Sequence, residues 1–285
     1  MSREAQRFFA NRGSVLGTLL ICILLATVGL RPWLASKDPS AVNIDYGLTL
    51  RGAPLPPSAD APLGTDHLGR DVWSRIAAGA GSSLEIATLA TLIALLIGLV
   101  VGLVAGYAGG WVDNALMRLV DLVLSFPFLL LAILLAALLR ETNLASSIAP
   151  VVLTLGCVGW TTIARVIRGK AMSVSRSEMT LAARALGASP ARIVTRHVLP
   201  NIAGVVIVVT ALGFAQNLLA ESVLSYLGLG PATTTWGRML FEGRPYYRTA
   251  PWLVIAPGIA ILVAVVAFNL VGEGLRDALD PKDHA

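Results

Sequence analysis

The chain alternates between long apolar stretches and shorter polar ones. A helix needs roughly 20 apolar residues to cross the hydrocarbon core of a bilayer, and six stretches approach that length. Backbone groups in lipid must hydrogen-bond within their own segment, so each stretch is predicted to be a helix rather than a strand. The six predicted spans cover approximately residues 15–35, 84–107, 117–139, 147–167, 200–220 and 251–272. The pattern predicts an all-α polytopic membrane protein with six transmembrane helices.

Composition supports a lipid-facing surface. Of the 285 residues, 55% are hydrophobic and 14% are charged, whereas soluble domains carry about 25% charged residues. The formal charge of +5 could be taken as a sign of nucleic-acid binding. The basic residues lie mostly in loops between the predicted spans, where they set topology. We therefore expect membrane lipid, and not nucleic acid, to face this chain.

The distribution of basic residues predicts the orientation. With the N-terminus inside, 13 Lys and Arg residues fall in inside segments and 9 in outside segments. The segment 165–196 alone carries seven basic residues against one acid, Glu178. Such a loop is retained in the cytoplasm, so both termini of this multi-pass protein are predicted to be cytoplasmic. The first span is predicted to be uncleaved, because Arg31-Pro32-Trp33 replaces the small residues of a signal-peptide cleavage site.

The chain is predicted to divide at the start of span two. Residues 1–83 would form the first span plus an external loop, and 84–285 a core domain with five spans. Asp71 and Arg75 are spaced i, i+4, which favours a short amphipathic helix at the membrane surface just before span two. The second external segment, about 221–250, contains several glycines and prolines and is predicted not to be one continuous helix.

Span two carries three glycines at a spacing of four residues. Gly98, Gly102 and Gly106 form a small-xxx-small ridge, which lets two helix backbones approach closely in lipid. Glycines are also simply common in membrane helices. The regular spacing favours a helix–helix contact, without indicating the partner helix.

The loop between spans four and five, about residues 169–199, has strong start and stop signals for helices. Ser177 can cap a helix start, and Gly187 fits the left-handed position that ends a helix. Ser189 followed by Pro190 then begins a second helix. The sequence predicts a short helix, a sharp turn and another helix that leads into span five.

The first of these loop helices has two possible roles. Met179, Ala182, Ala183 and Leu186 are predicted to share one face of mostly small side chains. Such a face can seat in a cleft of another protein. It can equally rest on lipid headgroups as a simple connector. The residues alone leave both roles open.

The loop resembles a known motif. Ala182-Ala183-Arg184-Ala185-Leu186-Gly187, followed after nine residues by His197-Val198-Leu199-Pro200, is similar to the "EAA" loop of binding-protein-dependent ABC importer permeases. Two positions depart from that pattern: Leu181 stands where Glu is expected, and His197 where Ile is usual. Leu181 puts in doubt a salt bridge from that position to an ATPase, but the helix–Gly–helix geometry is unaffected.

The resemblance covers nearly the whole chain. It is to the dipeptide, oligopeptide and nickel permease family, and specifically to the second of its two permease subunits. The matching stretches are Gly64–Asp71, Gly109–Asp113 with Met117, Arg118 and Asp121, Ser125–Pro127, Leu224–Gly230, Trp236-Gly237, Phe268–Leu270 and Gly274–Pro281. So many ordered matches indicate the family well and the substrate poorly.

The resemblance implies a function and a set of partners. It implies the type I ABC importer permease fold in the bacterial inner membrane. It also implies a heterodimer with a homologous second permease subunit. An external solute-binding protein would deliver the substrate. Two cytoplasmic ABC ATPases would hold ATP and Mg²⁺, and di- or oligopeptides are the expected substrate, with nickel or another small solute as the alternative. The segment implied to couple to an ATPase comprises Leu181, Ala182, Ala183, Arg184, Gly187, Ser189 and Pro190.

The chain itself offers no chemistry of its own. It has no G-x-x-x-x-G-K-[ST] phosphate loop, so no cofactor, metal or catalytic site is expected on it and ATP hydrolysis belongs to a partner. Its three histidines are far apart, which disfavours an intramembrane enzyme. The two cysteines, Cys22 and Cys157, lie in apolar runs and are predicted to be small packing residues.

The rival class of membrane protein is an ion-coupled secondary transporter, which usually needs carboxylates within its spans. Here the acids Glu85, Asp121, Glu221 and Glu273 all lie near predicted span ends, where charged side chains can reach water. Asp121 is predicted to pair with Arg118, one turn away. Mid-span positions are almost free of charge, which disfavours ion coupling. Composition alone also allows a passive channel, but a channel would not need a docking loop.

Overall fold

A computed structural model describes residues 3–30, 33, 37–141 and 147–279. Its helices are α1 (Arg3–Ala10), α2 (Arg12–Gly29), α3 (Ile44–Gly47), α4 (Val72–Ala108), α5 (Gly110–Leu124), α6 (Phe128–Arg140), α7 (Ala149–Ser175), α8 (Glu178–Ala185), α9 (Pro190–Ile193), α10 (Leu199–Tyr226), α11 (Trp236–Gly243) and α12 (Trp252–Leu279). A π-helical turn, Val194–Val198, joins α9 to α10, and a 3-10 turn, Arg244–Tyr246, follows α11.

Five of these helical segments are long and apolar enough to cross a membrane, and α5 with α6 makes a sixth span if the bent pair is counted as one. The prediction of an all-α protein with six spans is confirmed. Continuity of the third span, predicted over 117–139, is wrong, because α5 and α6 meet at an angle of 84°. The break falls at Ser125-Phe126-Pro127. Proline lacks the backbone N–H that a helix interior requires and pushes the preceding residue out of the helical region.

Helix α4 begins much earlier than the second span was predicted to begin. The Asp71 carboxylate caps its first turn by accepting a hydrogen bond from the Ser74 backbone N–H at 2.8 Å. The helix then runs unbroken for 37 residues, a length of about 55 Å at 1.5 Å per residue. The prediction of a separate surface helix around Asp71 and Arg75 is therefore wrong. Helix α4 also crosses the predicted division at 83/84, which remains a prediction.

The glycine ridge of α4 packs against α7. A Cβ at Gly102 would lie 2.7 Å from the Ala164 carbonyl oxygen and 2.9 Å from Ile167 Cβ. Gly98 and Gly106 face the same helix just as closely. The predicted helix–helix contact is confirmed, and its partner is α7. Because no side chain separates the two backbones, α4 and α7 form a tightly joined pair.

The first span packs on the last. A Cβ at Gly17 of α2 would lie 2.7 Å from the Ala267 carbonyl oxygen of α12. Residues 31–32 and 34–36, the end of the span predicted over 15–35, lie outside the described residues. The thiols of Cys22 and Cys157 are free and exposed on this chain, so their prediction as packing residues is wrong.

The segment 221–250 is broken, as predicted. Helix α10 ends at Tyr226, and Gly228, with φ +83°, turns the chain. The buried Trp236 then starts α11, where its indole Nε1–H donates to the Ile76 carbonyl at 3.0 Å and its backbone N–H donates to Ser83 Oγ at 3.2 Å. Both acceptors belong to α4. Trp236 thus fixes α11 against the first turns of α4, at the end of that helix far from α8.

Candidate functional site

The loop after α7 forms a compact helix–turn–helix. Thr180 is fully buried, and its hydroxyl donates to the Val174 carbonyl at 2.9 Å. The Ser177 hydroxyl donates to the same carbonyl at 2.7 Å. Ser177 occupies the N-cap position of α8, but its side chain does not cap the helix as predicted, because it is engaged with α7. Two hydroxyls therefore tie the start of α8 to the end of the α7 span.

Gly187 ends α8 as predicted. Its φ is +82°, a region that glycine enters at no steric cost. The Ala188 N–H donates to the Ala183 carbonyl at 3.1 Å, and the Gly187 N–H donates to the Arg184 carbonyl at 3.0 Å. These two bonds make a Schellman motif. The motif fixes the angle at which the chain leaves α8.

The second helix of the loop starts where the sequence predicts. Ser189 Oγ accepts from the Arg192 N–H at 3.4 Å, and Pro190 is the first helical residue. Ile193 and Val198 are buried, so the helix lies against the bundle as it continues through the π turn into α10.

The outer surface of α8 is apolar and uncovered in this chain. Leu186 is 89% exposed, Leu181 is 50% exposed and Met179 is 48% exposed. Ala182 is exposed and Ala183 is half-buried. The predicted face of Met179, Ala182, Ala183 and Leu186 therefore points mainly away from the helices of this chain.

Arg184 connects α8 to the end of α4. Its guanidinium carbon lies 5.7 Å from the centroid of the Tyr107 ring, within the range of a cation–π interaction. Tyr107 is two residues before Gly109, where the backbone turns into α5. This contact was not predicted, since Tyr107 and Arg184 lie 77 positions apart and neither has an unusual local pattern.

Ion pairs join α5 to α7 on the same side of the bundle. Arg168 makes two hydrogen bonds to Asp113, of which Nη2 to Oδ2 is 2.6 Å. Arg165 Nη2 lies 2.6 Å from Asp121 Oδ1. The predicted pairing of Asp121 with Arg118 is therefore wrong. Helix α7 passes beside α5, so its arginine reaches the carboxylate in preference to the neighbour one turn away.

An ion-pair cluster holds the opposite end of α4, and sequence reasoning missed it. Arg70 donates to Asp66 at 2.7 Å and to Glu242 at 2.9 Å. Arg75, only 2% exposed, donates to the same two carboxylates, at 2.8 Å for Glu242. Arg238 adds a bond to Glu242 at 3.0 Å. The cluster ties the segment before α4 and the start of α4 to α11.

The cluster has three guanidiniums and two carboxylates. Burial raises the pKa of Glu242, but the nearby guanidiniums of Arg75, Arg238 and Arg70 outweigh burial and hold that pKa below its usual value. A carboxylate oxygen of Asp66, a ring nitrogen of His67 and a carboxylate oxygen of Glu242 lie within 4.8 Å of one another, as metal ligands could. A metal ion does not fit there, because two guanidiniums already occupy both carboxylates.

A buried carboxylate lies in α10. Glu221 is fully buried, and its Oε1 accepts from the Ser225 hydroxyl at 2.7 Å. Ser83 and Ser222 lie 3.4 Å from Oε2. The expectation that Glu221 reaches water at a span end is wrong, because α10 extends six residues beyond the predicted span and the acid lies under α11. Hydroxyls of α4 and α10 supply its hydrogen bonds, so its polar atoms are satisfied inside the protein.

Together these features define a multi-pass helical membrane protein with a compact helix–turn–helix between α7 and α10. Comparison with known proteins gives the family. Residues 98–282 match the family model described as "Binding-protein-dependent transport system inner membrane component". This chain belongs to that family, whose members are permease subunits of ABC importers and not enzymes.

The curated relatives match the full length. The chain is 40% identical over 280 residues to the oligopeptide transport system permease protein OppC of Salmonella typhimurium, covering 98% of this chain and 90% of that protein. It is 36% identical over 283 residues to the dipeptide transport system permease protein DppC of Alkalihalophilus pseudofirmus, with the same coverage. It is 35% identical to a putative peptide transport system permease protein of Brucella abortus biovar 1, again with that coverage.

Solved structures share the fold at low sequence identity. An inward-facing MetNI methionine ABC transporter structure matches with a TM-score of 0.60 and 17% identity, covering 71% of this chain and 95% of that one. An amino acid ABC transporter with histidines matches with a TM-score of 0.52 and 19% identity, covering 71% and 93%. The type I importer permease fold expected for this chain is confirmed.

Proposed function

We propose that this chain is the second permease subunit of a heterodimeric importer for di- and oligopeptides. The curated relatives at 35–40% identity are named as peptide, dipeptide or oligopeptide permeases. A homologous permease subunit completes the pore, and an external solute-binding protein delivers the peptide. Two cytoplasmic ATPases bind ATP and Mg²⁺ and supply the free energy.

The exposed face of α8 carries this proposal. This face is apolar and lies outside the bundle of spans. The Schellman motif at Gly187 fixes the angle at which the chain leaves α8. Covering a side chain such as Leu186, which is 89% exposed, contributes about 1.5–3 kcal/mol. We propose that one ATPase docks on a segment of α8 and the turn after it. This segment comprises Leu181, Ala182, Ala183, Arg184, Gly187, Ser189 and Pro190.

Leu181 gives this docking surface a particular chemistry. The family pattern has a glutamate at this position, whereas here the apolar side chain of Leu181 is 50% exposed on α8. The partner then meets an exposed apolar side chain at this position in place of a carboxylate. Apolar burial, rather than a salt bridge, holds this coupling helix to its ATPase.

Replacement of Gly187 by valine tests the docking role. A Cβ at Gly187 meets no atom within 4 Å, so Gly187→Val acts only through its left-handed backbone. The strain is about 1–2 kcal/mol, and the exit angle of α8 must change to relieve it. We expect normal insertion, but a sharp fall in labelled-peptide uptake and in substrate-stimulated ATP hydrolysis by the assembled importer.

Gly169→Val is the matched control. Gly169 lies in the exposed last turns of α7, and a Cβ at this position would also meet no atom within 4 Å, but its backbone is helical. Uptake of labelled peptide by the Gly169→Val importer should stay near that of the wild type. The membrane levels of both variants are checked by immunoblot. Normal uptake by a well-inserted Gly187→Val protein would show that the loop is only a connector.

A further inference from the structure

A cavity of about 570 Å³ opens between α5–α6, α7 and α10. Its walls are mainly aliphatic and aromatic, with a few neutral polar groups on α7 and α10. The polar side chains that line it are Thr161, Thr162, Gln216 and Asn217. No Asp, Glu, Lys or Arg is among the described residues that line it.

Two of these polar side chains lie on membrane-crossing helices, away from the helix ends. Thr162 is in the middle of α7, 13 residues from each end of the helix, and Gln216 is ten residues before the end of α10. At 1.5 Å per residue these positions are about 20 Å and about 15 Å from the nearest helix ends. Both side chains are exposed on this chain.

Of the polar side chains that line the cavity, Gln216 indicates most clearly what this surface contacts. Its neighbour Asn217 is buried and donates to Thr91 Oγ1 at 2.9 Å. None of the residues that the structure describes hydrogen-bonds the amide of Gln216. An amide facing hydrocarbon without a partner is costly, which favours a polar or protein environment over lipid for this face of α10. We expect this face to meet water, a ligand or another protein.

The glycines of the cavity differ from those of the α4–α7 contact. A Cβ at Gly213 would find its nearest neighbour, Ile163 Cδ1, at 3.9 Å, and one at Gly159 would find Asn217 Oδ1 at 3.5 Å. These are ordinary contact distances, so neither glycine is needed for helix packing. Their missing side chains instead leave free volume beside Gln216.

We propose that this cavity is the wall of the translocation path that this chain contributes, and that Gln216 hydrogen-bonds the main chain of the passing peptide. The inference rests on the proposed peptide function. An uncharged amide both donates and accepts, as a peptide unit does. Apolar walls without fixed charge accommodate side chains of either sign, and the volume falls within the range of about 300–1,000 Å³ typical of ligand sites.

Gln216→Met tests the assignment, because methionine nearly keeps the length of the side chain and removes its hydrogen bonds. Uptake of a labelled tripeptide is compared with uptake of its backbone N-methylated analogue, in the reconstituted importer with saturating solute-binding protein. The wild-type importer should favour the unmethylated peptide. Gln216→Met should reduce that preference about fivefold, the worth of one hydrogen bond, whereas Gln216→Asn should retain most of it.

The ratio of uptake of the unmethylated peptide to uptake of the N-methylated peptide distinguishes a wrong role for Gln216 from a wrong substrate class. The solute-binding protein is the same for both variants, so its own discrimination cancels. An unchanged ratio, with or without lower uptake, would overturn the assignment and would place Gln216 at a contact with the second permease subunit. A wild-type importer that takes up neither peptide, despite reconstituted ATPase activity, would instead overturn the proposed substrate class.

Thiol accessibility gives a second measurement that does not need transport. In a chain carrying Cys22→Ala and Cys157→Ala, Gln216→Cys should react with a small water-soluble thiol reagent in the assembled importer. Leu262→Cys, at an outward position of α12 that is 61% exposed, should not react. A Gln216→Cys protein as unreactive as Leu262→Cys would also overturn the assignment.

Discussion

Arg184 is the residue of the docking segment that reaches back to the membrane helices. Its guanidinium lies over Tyr107 at the end of α4, while α8 is tied to α7 through Thr180. Because α4 and α7 are themselves tightly packed, movement of α8 must be passed to both spans. The proposed docking role of α8 therefore predicts that Tyr107 is a positioning residue for coupling.

Tyr107→Leu should uncouple the importer in part. A cation–π contact at an exposed site is worth about 0.5–1 kcal/mol, so loss of the ring should lower substrate-stimulated ATP hydrolysis about two- to fivefold. Basal hydrolysis should change little, because α8 keeps its anchor on α7. Tyr107→Phe retains the aromatic face and should behave like the wild type. Equal stimulation in the leucine and phenylalanine variants would contradict a role for the ring.

Single residues also mark where sequence reasoning reaches its limit. The signals at Gly187 and Pro190 are local, and the structure has the predicted turn there. Arg75 and Glu242 are 167 positions apart and form a buried pair, which only the tertiary fold reveals. The sequence predicts an ion pair between Asp121 and Arg118, the nearest arginine in the chain, although Arg165 of α7 is its partner. Local conformation was predictable, and pairing across helices was not.

Helices were predicted well in number and less well in extent. Apolar length identifies the part of a helix that lies in lipid, so α4, α7 and α10 each run beyond the predicted spans. The bend between α5 and α6 lies within one apolar run, and only Pro127 marks it. Hydropathy does not distinguish a straight span from a broken one.

The α4–α7 contact can be tested with one alanine. A Cβ at Gly102 would lie 2.7 Å from the Ala164 carbonyl oxygen, whereas one at Gly258 of α12 meets nothing within 4 Å. Gly102→Ala must push the two helices apart, at a cost of about 1–3 kcal/mol. We expect a lower midpoint of thermal unfolding for Gly102→Ala in detergent and no decrease for Gly258→Ala. Equal midpoints for the two variants would mean that the helices repack without strain.

At the scale of the whole molecule, ion pairs neutralise some basic residues on both sides of the bundle and leave a local excess near α8. On the side of α8, Asp121 and Asp113 pair with Arg165 and Arg168. Five of the seven basic residues of 165–196 then face only Glu178 in that segment. On the opposite side, three arginines of the α4–α11 cluster share Asp66 and Glu242. Pairing neutralises two basic charges on each side, so the difference between 13 and 9 is unchanged, and the predicted cytoplasmic location of α8 depends on the local excess of basic residues in 165–196.

This bias predicts the outcome of labelling from the two sides of the membrane. Ala59 and Ala191 are exposed residues, one in the external loop and one in α9. Each is replaced by cysteine in a chain carrying Cys22→Ala and Cys157→Ala. In intact cells a membrane-impermeant thiol reagent should label only Ala59→Cys, because basic segments are retained inside. In the purified chain in detergent both cysteines should react, which shows that neither site is sterically blocked. Labelling of Ala191→Cys from outside would reverse the orientation and remove α8 from the reach of a cytoplasmic ATPase.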